Sequence, residues 1–232
     1  MGIRARWAAA IGALLALGAA FPATLMVENF EQEPRGAYPS RWGFLGTDAR
    51  MYPLVNEMSA QEQFIVEQEG ANRFLRLYTR NEAQRITMLS PGAHLRWVLA
   101  AHPRFRWRWR ALALPDGAAE NRRGRNDVGA AIYVTFSRDL LGRPRSIKYT
   151  YSSSLAVGTT FRQGQLRVIV VSSGAEPRGF WRTVERDVVA DYAATFGGAA
   201  PNPISITLWS DSDDTGKEAK VDLDDLELLP AR

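Results

Sequence analysis

Apolar residues recur at every second position through most of the chain, in short runs separated by clusters of Gly, Pro, Asn and Asp. Successive side chains of a β-strand point to opposite faces, so this period predicts strands with one face in a core. The clearest of about ten to twelve such runs are residues 74–78, 105–114, 130–136, 166–171, 204–209 and 221–229. The pattern predicts a mainly β fold, an antiparallel β-sandwich.

One segment has a helical period instead. Val188, Tyr192 and Phe196 are spaced four apart, Asp187 precedes them in the position of an N-cap, and Gly197 follows as a stop signal. Carboxylates cap free backbone N–H groups at helix starts, and glycine tolerates the conformation that ends a helix. We therefore predict one short helix within the sandwich.

The first twenty residues have the layout of a secretory signal peptide. Arg4 and Arg6 precede an apolar run at residues 8–20 that is too short to span a bilayer. Small residues end this run, so we predict cleavage after Ala20 and a periplasmic or secreted protein. Residues 21–232 are then predicted to form a single β-sandwich domain, in which no apolar stretch is long enough for a transmembrane segment.

Composition narrows the chemistry further. The formal net charge is +4, and the leader holds two of these positive charges, so we do not expect a nucleic-acid partner. The chain contains no cysteine, which excludes disulfides and thiol catalysis. Only His94 and His102 are available for imidazole chemistry, and no nucleophile-elbow motif accompanies them.

A cationic stripe is predicted on one strand. Between residues 104 and 110, arginine alternates with Phe105, Trp107 and Trp109, so the two kinds of side chain point to opposite faces. We call the four arginines the arginine stripe: Arg104, Arg106, Arg108 and Arg110. It is interpreted either as a binding surface for an anionic polymer, with Arg106 and Arg108 as ligand contacts, or as a solvated face whose arginines pair with local carboxylates. Leucines on the arginine side at 112 and 114 indicate either that the strand passes from solvent into a covered region or that it contains a bulge.

Two acidic segments are candidate sites for a structural Ca²⁺ ion. Asp211, Asp213 and Thr215 alternate before Gly216, and Asp222 takes the twelfth position of a calcium loop. Calcium needs several hard oxygen ligands, which such a turn supplies together. The alternative is an acid-rich hairpin turn without an ion.

The second candidate calcium site depends on a bulge. Apolar residues change parity between Leu223 and Leu226, which predicts a bulge at Asp224 and Asp225. These carboxylates would turn toward the opening strand, where Glu31 adds another oxygen ligand. The alternative is a charged edge strand that prevents association between sheets.

Carboxylates provide the only candidates for catalysis. Glu185, Asp187 and Asp191 lie close in sequence to Trp181. A glycosidase needs two carboxyl groups at a defined separation, which the sequence does not supply, and a surface ion-pair network explains these residues equally well. We therefore assign no catalytic residues and favour binding over catalysis.

Several motifs resemble one bacterial family. They are Trp107-Arg-Trp109, Asn126-Asp-Val-Gly-Ala-Ala-Ile-Tyr133 leading to Phe136, Trp181 with Arg186-Asp-Val-Val-Ala-Asp-Tyr192, Phe196-Gly197, and Ser210-Asp-Ser-Asp-Asp-Thr-Gly216. From Val27 to the C-terminus the chain resembles the secreted family labelled domain of unknown function 3047. This resemblance implies no activity.

The terminal segments carry a second resemblance. Val27-Glu-Asn-Phe-Glu31 with Tyr38-Pro-Ser-Arg-Trp42, and Val221-Asp-Leu-Asp-Asp-Leu-Glu-Leu228, are similar to the first and last strands of carbohydrate-binding jelly-roll modules. The resemblance implies a jelly roll of the galactose-binding or carbohydrate-binding type, in which the terminal strands pair and a structural calcium often lies beside them.

The leading hypothesis is an exported, non-catalytic protein that binds a polysaccharide or related envelope glycan. Aromatic residues predicted off the core would cover sugar rings, and the candidates are Trp42, Tyr151, Trp181 and Trp209. Trp209, for example, alternates with Ile206 and Leu208. Two alternatives stay open: a glycan-active hydrolase or lyase that uses an Asp/Glu pair, and an envelope scaffold that binds anionic surfaces.

Overall fold

The computed structural model describes residues 23–54 and 58–232. The predicted signal peptide, residues 1–20, lies outside the described residues. The strands are β1 (Leu25–Glu28), β2 (Phe44–Leu45), β3 (Met51–Tyr52), β4 (Glu62–Glu69), β5 (Asn72–Arg80), β6 (Ala83–Leu89), β7 (Arg104–Ala113), β8 (Val128–Arg138), β9 (Pro144–Ser152), β10 (Thr160–Gln163), β11 (Leu166–Ser173), β12 (Arg182–Asp187), β13 (Ser205–Asp211) and β14 (Glu218–Leu229). The helix α1 spans Val188–Phe196.

The strands form two six-stranded sheets and a small hairpin. Sheet 1 has the order β12-β7-β14-β5-β4, and β1 also pairs with β14. Sheet 2 has the order β10-β11-β9-β8-β13-β6, and β2 pairs with β3. All pairs are antiparallel except β9 with β11, which are parallel. The mainly β architecture is confirmed, and so is the pairing of the terminal strands β1 and β14 that the jelly-roll resemblance implied.

The inner faces of the two sheets enclose the core. Phe105, Trp107 and Trp109 of β7 point inward at 0% exposure, as their alternation with arginine predicts. They form a column in which Trp107 lies 5.5 Å from the ring of Tyr149 and Trp109 lies 5.3 Å from the ring of Tyr151, both on β9. These aromatic contacts join sheet 1 to sheet 2, so the core rather than any cross-link holds the sandwich together.

The bulge predicted in β14 is present, and the β7–β14 pairing contains a second register shift, one of the two alternatives for the leucines at 112 and 114. In β14 the register with β7 shifts between Asp224 and Glu227, and Asp225 has a positive φ of 47°. The shift lets Leu223 and Leu226 both point into the core although they are three positions apart, at 0% exposure each. In β7 the register shifts around Leu112, which leaves this side chain exposed.

The predicted helix is confirmed as α1. The carboxylate of Asp187 accepts a hydrogen bond from the backbone N–H of Ala190, and Gly197 ends the helix with a φ of 78°. Val188 and Tyr192 are buried and pack against the core. Within residues 23–54 and 58–232, no helix has the length and apolar character that a membrane crossing requires.

Candidate functional site

A cleft of about 520 Å³ lies on the outer face of sheet 2. Its floor consists of side chains from the adjacent strands β6, β13, β8 and β9. Paired residues of neighbouring strands point to the same face, so each row of the sheet contributes a row of floor residues. One row runs through Ser205, Thr135 and Ser146; the next runs through Thr87, Thr207 and Tyr133; a third pairs Arg85 with Trp209.

The β2–β3 hairpin lines part of the cleft. Gly43 exchanges two backbone hydrogen bonds with Thr87 of edge strand β6, at 3.0 and 2.8 Å, and so extends the sheet toward the hairpin. A Cβ atom at Gly43 would lie 2.9 Å from the carbonyl oxygen of Tyr52, so only glycine allows this approach. Arg138 at the end of β8 and Leu141 in the turn between β8 and β9 also line the cleft.

An aromatic pair lies on the floor. The rings of Trp209 and Tyr133 are 5.7 Å apart at 49°, and both side chains are half-buried. The structure therefore places Trp209 on the outer face, as its alternation with Ile206 and Leu208 predicted. Its role as a ligand contact stays a prediction.

Hydroxyl groups and one guanidinium surround this pair. The hydroxyls of Thr87 and Thr207 are 2.9 Å apart, and so are those of Thr135 and Ser146. The guanidinium of Arg85 lies 5.4 Å from the centre of the Trp209 ring. The Thr87, Thr135 and Ser146 side chains are themselves buried, so the groups at the surface are the two flat, half-buried rings and the exposed guanidinium. Apolar rings beside a few polar groups suit a sugar ligand.

Two of the predicted ligand contacts are buried in the core. Trp42 is 3% exposed and its indole N–H donates to the carboxylate of Glu28, while Tyr151 is 1% exposed and packs on Trp109. Neither ring can cover a sugar at the surface, so these two predictions are wrong. Trp42 lies outside the regular strands, where alternation gives no guide, and Tyr151 shares the inward parity of Tyr149 on β9.

Trp181 lies on the outer face of sheet 1, away from the cleft. The guanidinium carbons of Arg108 and Arg110 are each 4.8 Å from its ring centre, and Phe74 meets it edge-on at 5.5 Å. Trp181 and Trp209 therefore lie on opposite sheets and do not line one groove.

Carboxylates neutralise the arginine stripe on that same outer face. Arg106 pairs with Glu227 at 2.7 Å, and Arg108 pairs with Asp224 at 2.6 Å. Arg104 pairs with Glu185, and Arg110 with Asp222 and Glu69. The interpretation as a face of local ion pairs is confirmed, and the predicted binding surface at Arg106 and Arg108 is corrected, because their charges are already balanced.

The first predicted calcium loop is not assembled. Asp222 is fully buried on sheet 1, where it accepts hydrogen bonds from Arg76 at 2.8 and 3.0 Å and from Arg110 at 2.9 Å. Asp211 ends β13 in sheet 2, and the Thr215 hydroxyl donates to Asp127. The prediction failed because spacing along the chain does not reveal which sheet face each carboxylate enters.

The second predicted calcium set also has protein partners. The carboxylate of Glu31 accepts a hydrogen bond from the backbone N–H of Arg73 at 2.9 Å, and Asp224 accepts from Asn72 and Arg108. Among the described residues, the acidic side chains that could share an ion are instead Asp127, Asp213 and Asp214, with oxygens within 4.8 Å of one another. Asp127 already accepts the backbone N–H groups of Asp214 and Thr215, so it holds the β13–β14 turn without requiring an ion.

Asp211 is a buried carboxyl with an unusual pKa. Burial and the neighbouring charge of Asp213 raise the pKa of Asp211 to about 7, although the charge of Lys148 opposes this shift. One carboxyl oxygen of Asp211 has no hydrogen-bond partner among the described residues. Below about pH 7 the folded protein therefore favours the protonated form of Asp211.

This shift predicts the pH dependence of stability. In the unfolded chain Asp211 titrates near 3.8, so between about pH 4 and 7 the folded state binds more protons and the free energy of unfolding falls as pH rises. We expect Asp211→Asn to be more stable than the wild type at pH 8, on the order of 2 kcal/mol, and nearly equal at pH 4. Urea unfolding at both pH values measures this difference.

The control for this prediction is Asp116→Asn at an exposed position, which should follow the wild type at both pH values. Burial is the main cause that raises the pKa of Asp224 to about 6. The free energy of unfolding should therefore still fall to some extent as pH rises in every variant, because Asp224 is present in each. Equal stability of Asp211→Asn and wild type at pH 8 would contradict the assignment.

The three acidic candidates for catalysis are engaged in structural contacts. Glu185 pairs with Arg104 and with Arg232, the latter at 3.0 Å, and Asp187 caps α1. Asp191 pairs with Arg186 and accepts a hydrogen bond from the Tyr149 hydroxyl at 2.9 Å. The structure therefore assembles no acid–base pair from these three residues.

The cleft contains residues that sequence analysis did not select. Tyr133 and Thr135 share the outward parity of β8, so alternation placed them off the core, but nothing in the sequence showed that they face a cleft. Arg85 and Thr87 lie on β6, whose apolar pattern is weaker. The signal that could have found them is the same alternation, once the neighbours of each strand are known.

The family model described as "Protein of unknown function (DUF3047)" matches residues 53–227. The chain belongs to this family. The DUF3047 segment includes every strand of the cleft floor and both members of the Trp209–Tyr133 pair, whereas the β2–β3 hairpin precedes it. No curated protein matches the sequence.

Solved structures similar to this DUF3047 chain include two carbohydrate-binding modules. The family 11 module of the cellulosomal cellulase Lic26A-Cel5E of Clostridium thermocellum is 12% identical with a TM-score of 0.41, and the alignment covers 90% of this chain and 95% of the module. The module CBM27-1 of Caldicellulosiruptor saccharolyticus, in complex with mannohexaose, is 9% identical with a TM-score of 0.45, and the alignment covers 90% and 97%.

Proposed function

We propose that this protein binds a polysaccharide or related glycan, without catalysis, in the cleft on the outer face of sheet 2. The observation that carries the proposal is the half-buried Trp209–Tyr133 pair on a floor otherwise rich in hydroxyl groups. An indole covers the apolar face of a sugar ring, and hydroxyl and guanidinium groups exchange hydrogen bonds with the sugar hydroxyls.

Binding is better supported than hydrolysis or lyase chemistry. A glycosidase brings two carboxyl groups to the glycosidic bond, and no Asp or Glu is among the described residues that line the cleft. The acidic residues considered for catalysis serve ion pairs and a helix cap elsewhere. The scaffold alternative loses its support because the arginine stripe is paired with carboxylates.

The proposed location follows from the sequence. The predicted signal peptide at residues 1–20 supports export to the periplasm or beyond, where envelope and environmental polysaccharides are accessible. Detection of the mature N-terminus near Phe21 in an extracytoplasmic fraction would support this part of the proposal.

Trp209→Ala tests the proposal directly. We expect wild-type protein to bind members of an array of neutral and acidic polysaccharides, and calorimetry with oligosaccharides of the best binder to show affinity weakened about tenfold or more in the variant, or about 1.4 kcal/mol. The loss would follow from removing the ring that covers the sugar face. Circular dichroism should show an unchanged fold, because the side chain lies on an outer face.

The matched control is Trp181→Ala, which removes a half-buried tryptophan from the outer face of the other sheet. It should leave glycan affinity unchanged. Tyr133→Ala provides an independent variant of the cleft and should also weaken binding. The proposal is overturned if no polysaccharide on the array binds, or if Trp181→Ala weakens binding while Trp209→Ala does not.

A further inference from the structure

We propose that the cleft selects an acidic glycan, and that Arg85 pairs with a carboxylate or sulfate group of that ligand. The inference rests on the proposed function and specifies its ligand class.

The charged side chains that line the cleft are all cationic. Arg85 lies on the floor and Arg138 lies at the end of β8, and the described lining residues include no carboxylate. A concave surface with one sign of charge attracts ligands of the opposite sign and raises their local concentration. The cleft is therefore electrostatically complementary to an anionic ligand.

Arg85 is held in place by aromatic rings rather than by an ion pair. Its guanidinium carbon lies 5.4 Å from the ring centre of Trp209 and 6.0 Å from that of Phe44. Cation–π contacts of this kind hold the planar group near a ring while leaving its N–H donors free. Within the described residues, the Arg85 side chain makes no ion pair, so a ligand carboxylate or sulfate could accept two parallel hydrogen bonds from it.

The arginines of sheet 1 show the opposite arrangement. Arg108 and Arg110 also lie against an aromatic ring, that of Trp181, but each is paired with carboxylates of β14. On sheet 1, each arginine that contacts an aromatic ring also has a carboxylate partner. In the cleft, Arg85 contacts aromatic rings but has no carboxylate partner among the described residues. An exposed guanidinium that is positioned but not neutralised is available to a ligand, whereas the stripe is not.

The experiment compares acidic oligosaccharides with their uncharged counterparts. Oligogalacturonate is measured against its methyl ester, and sulfated carrageenan oligosaccharides are measured against the desulfated form, by calorimetry at fixed ionic strength. We expect wild-type protein to bind at least one acidic form about tenfold more tightly than its uncharged counterpart. The two series distinguish a carboxylate ligand from a sulfate ligand.

Variants assign this preference to one side chain. Arg85→Met keeps the stem over the rings and should abolish the preference, and Arg85→Lys, which keeps the charge without the planar fork, should retain part of it. Arg106→Met removes a charge from the arginine stripe and should leave the preference intact.

Different results separate the failure of this inference from the failure of the proposed function. Equal affinity for charged and uncharged forms, or equal effects of Arg85→Met and Arg106→Met, would overturn the acidic-ligand inference. If Trp209→Ala still weakened binding in that case, the glycan-binding function would stand. If neither the charged nor the uncharged forms bound, and the polysaccharide array were also silent, the proposed function itself would fail.

Discussion

Trp107→Ala is expected to lower the free energy of unfolding by about 3–5 kcal/mol. The indole of Trp107 is fully buried between the sheets, with ring centres of Phe105, Trp109 and Tyr149 at 5.0, 5.5 and 5.5 Å. Removing it deletes a large apolar surface and leaves a cavity that the surrounding rings can fill only in part. Urea unfolding followed by circular dichroism measures the loss.

Trp107→Phe is the informative companion variant. The indole N–H of Trp107 is buried without a hydrogen-bond partner among the described residues, so phenylalanine keeps an aromatic ring and removes an unsatisfied donor. We expect a much smaller loss than for alanine. Leu141→Ala, at a side chain that is largely exposed, should change stability by less than about 0.5 kcal/mol. Similar losses of stability for Trp107→Ala and Leu141→Ala would show that the aromatic column of β7 does not stabilise the core.

Asp222→Asn is expected to cost about 3 kcal/mol of stability. The carboxylate is completely buried and balances two guanidinium groups, those of Arg76 and Arg110, which are themselves largely covered. Breaking a buried pair by removing one charge leaves the others uncompensated, and this costs more than the net contribution of the intact pair. Thermal and urea unfolding at neutral pH measure the loss.

The control is Glu218→Gln, which removes the carboxylate of an exposed pair with Arg80 on the same sheet. Its effect should not exceed about 0.5 kcal/mol. The double variant Asp222→Asn with Arg76→Met should recover part of the loss, since it removes one of the uncompensated charges. If Asp222→Asn were as stable as the wild type, the carboxylate would not be holding the arginines of sheet 1.

Local features of the chain were readable from the sequence because each depends on residues close together in it. Alternation predicted β7 with its inward aromatic residues, and the change of parity predicted the bulge at Asp224 and Asp225. The spacing of Val188, Tyr192 and Phe196 predicted α1 together with its cap. Parity also placed Trp209 off the core.

The faces of the sheets were decided by tertiary structure. Alternation divides the side chains of a strand into an inward and an outward set. Whether an outward side chain faces solvent, an ion-pair partner or a cleft depends on which strands become its neighbours. In the sequence, the position of Asp222 is compatible with a calcium loop. In the structure, the pairing of β14 with β5 and β7 places Asp222 against Arg76 and Arg110 instead.

The cleft itself is a consequence of the same long-range pairing. Arg85, Tyr133 and Trp209 lie on three strands that meet only in sheet 2, and no local pattern links them. Local patterns predicted several strands, the helix, the bulge in β14 and the inward or outward parity of many side chains, since steric and periodic effects act over a few residues. Tertiary structure alone decided which outward residues share a site, because packing and electrostatics act between segments that are distant in the chain.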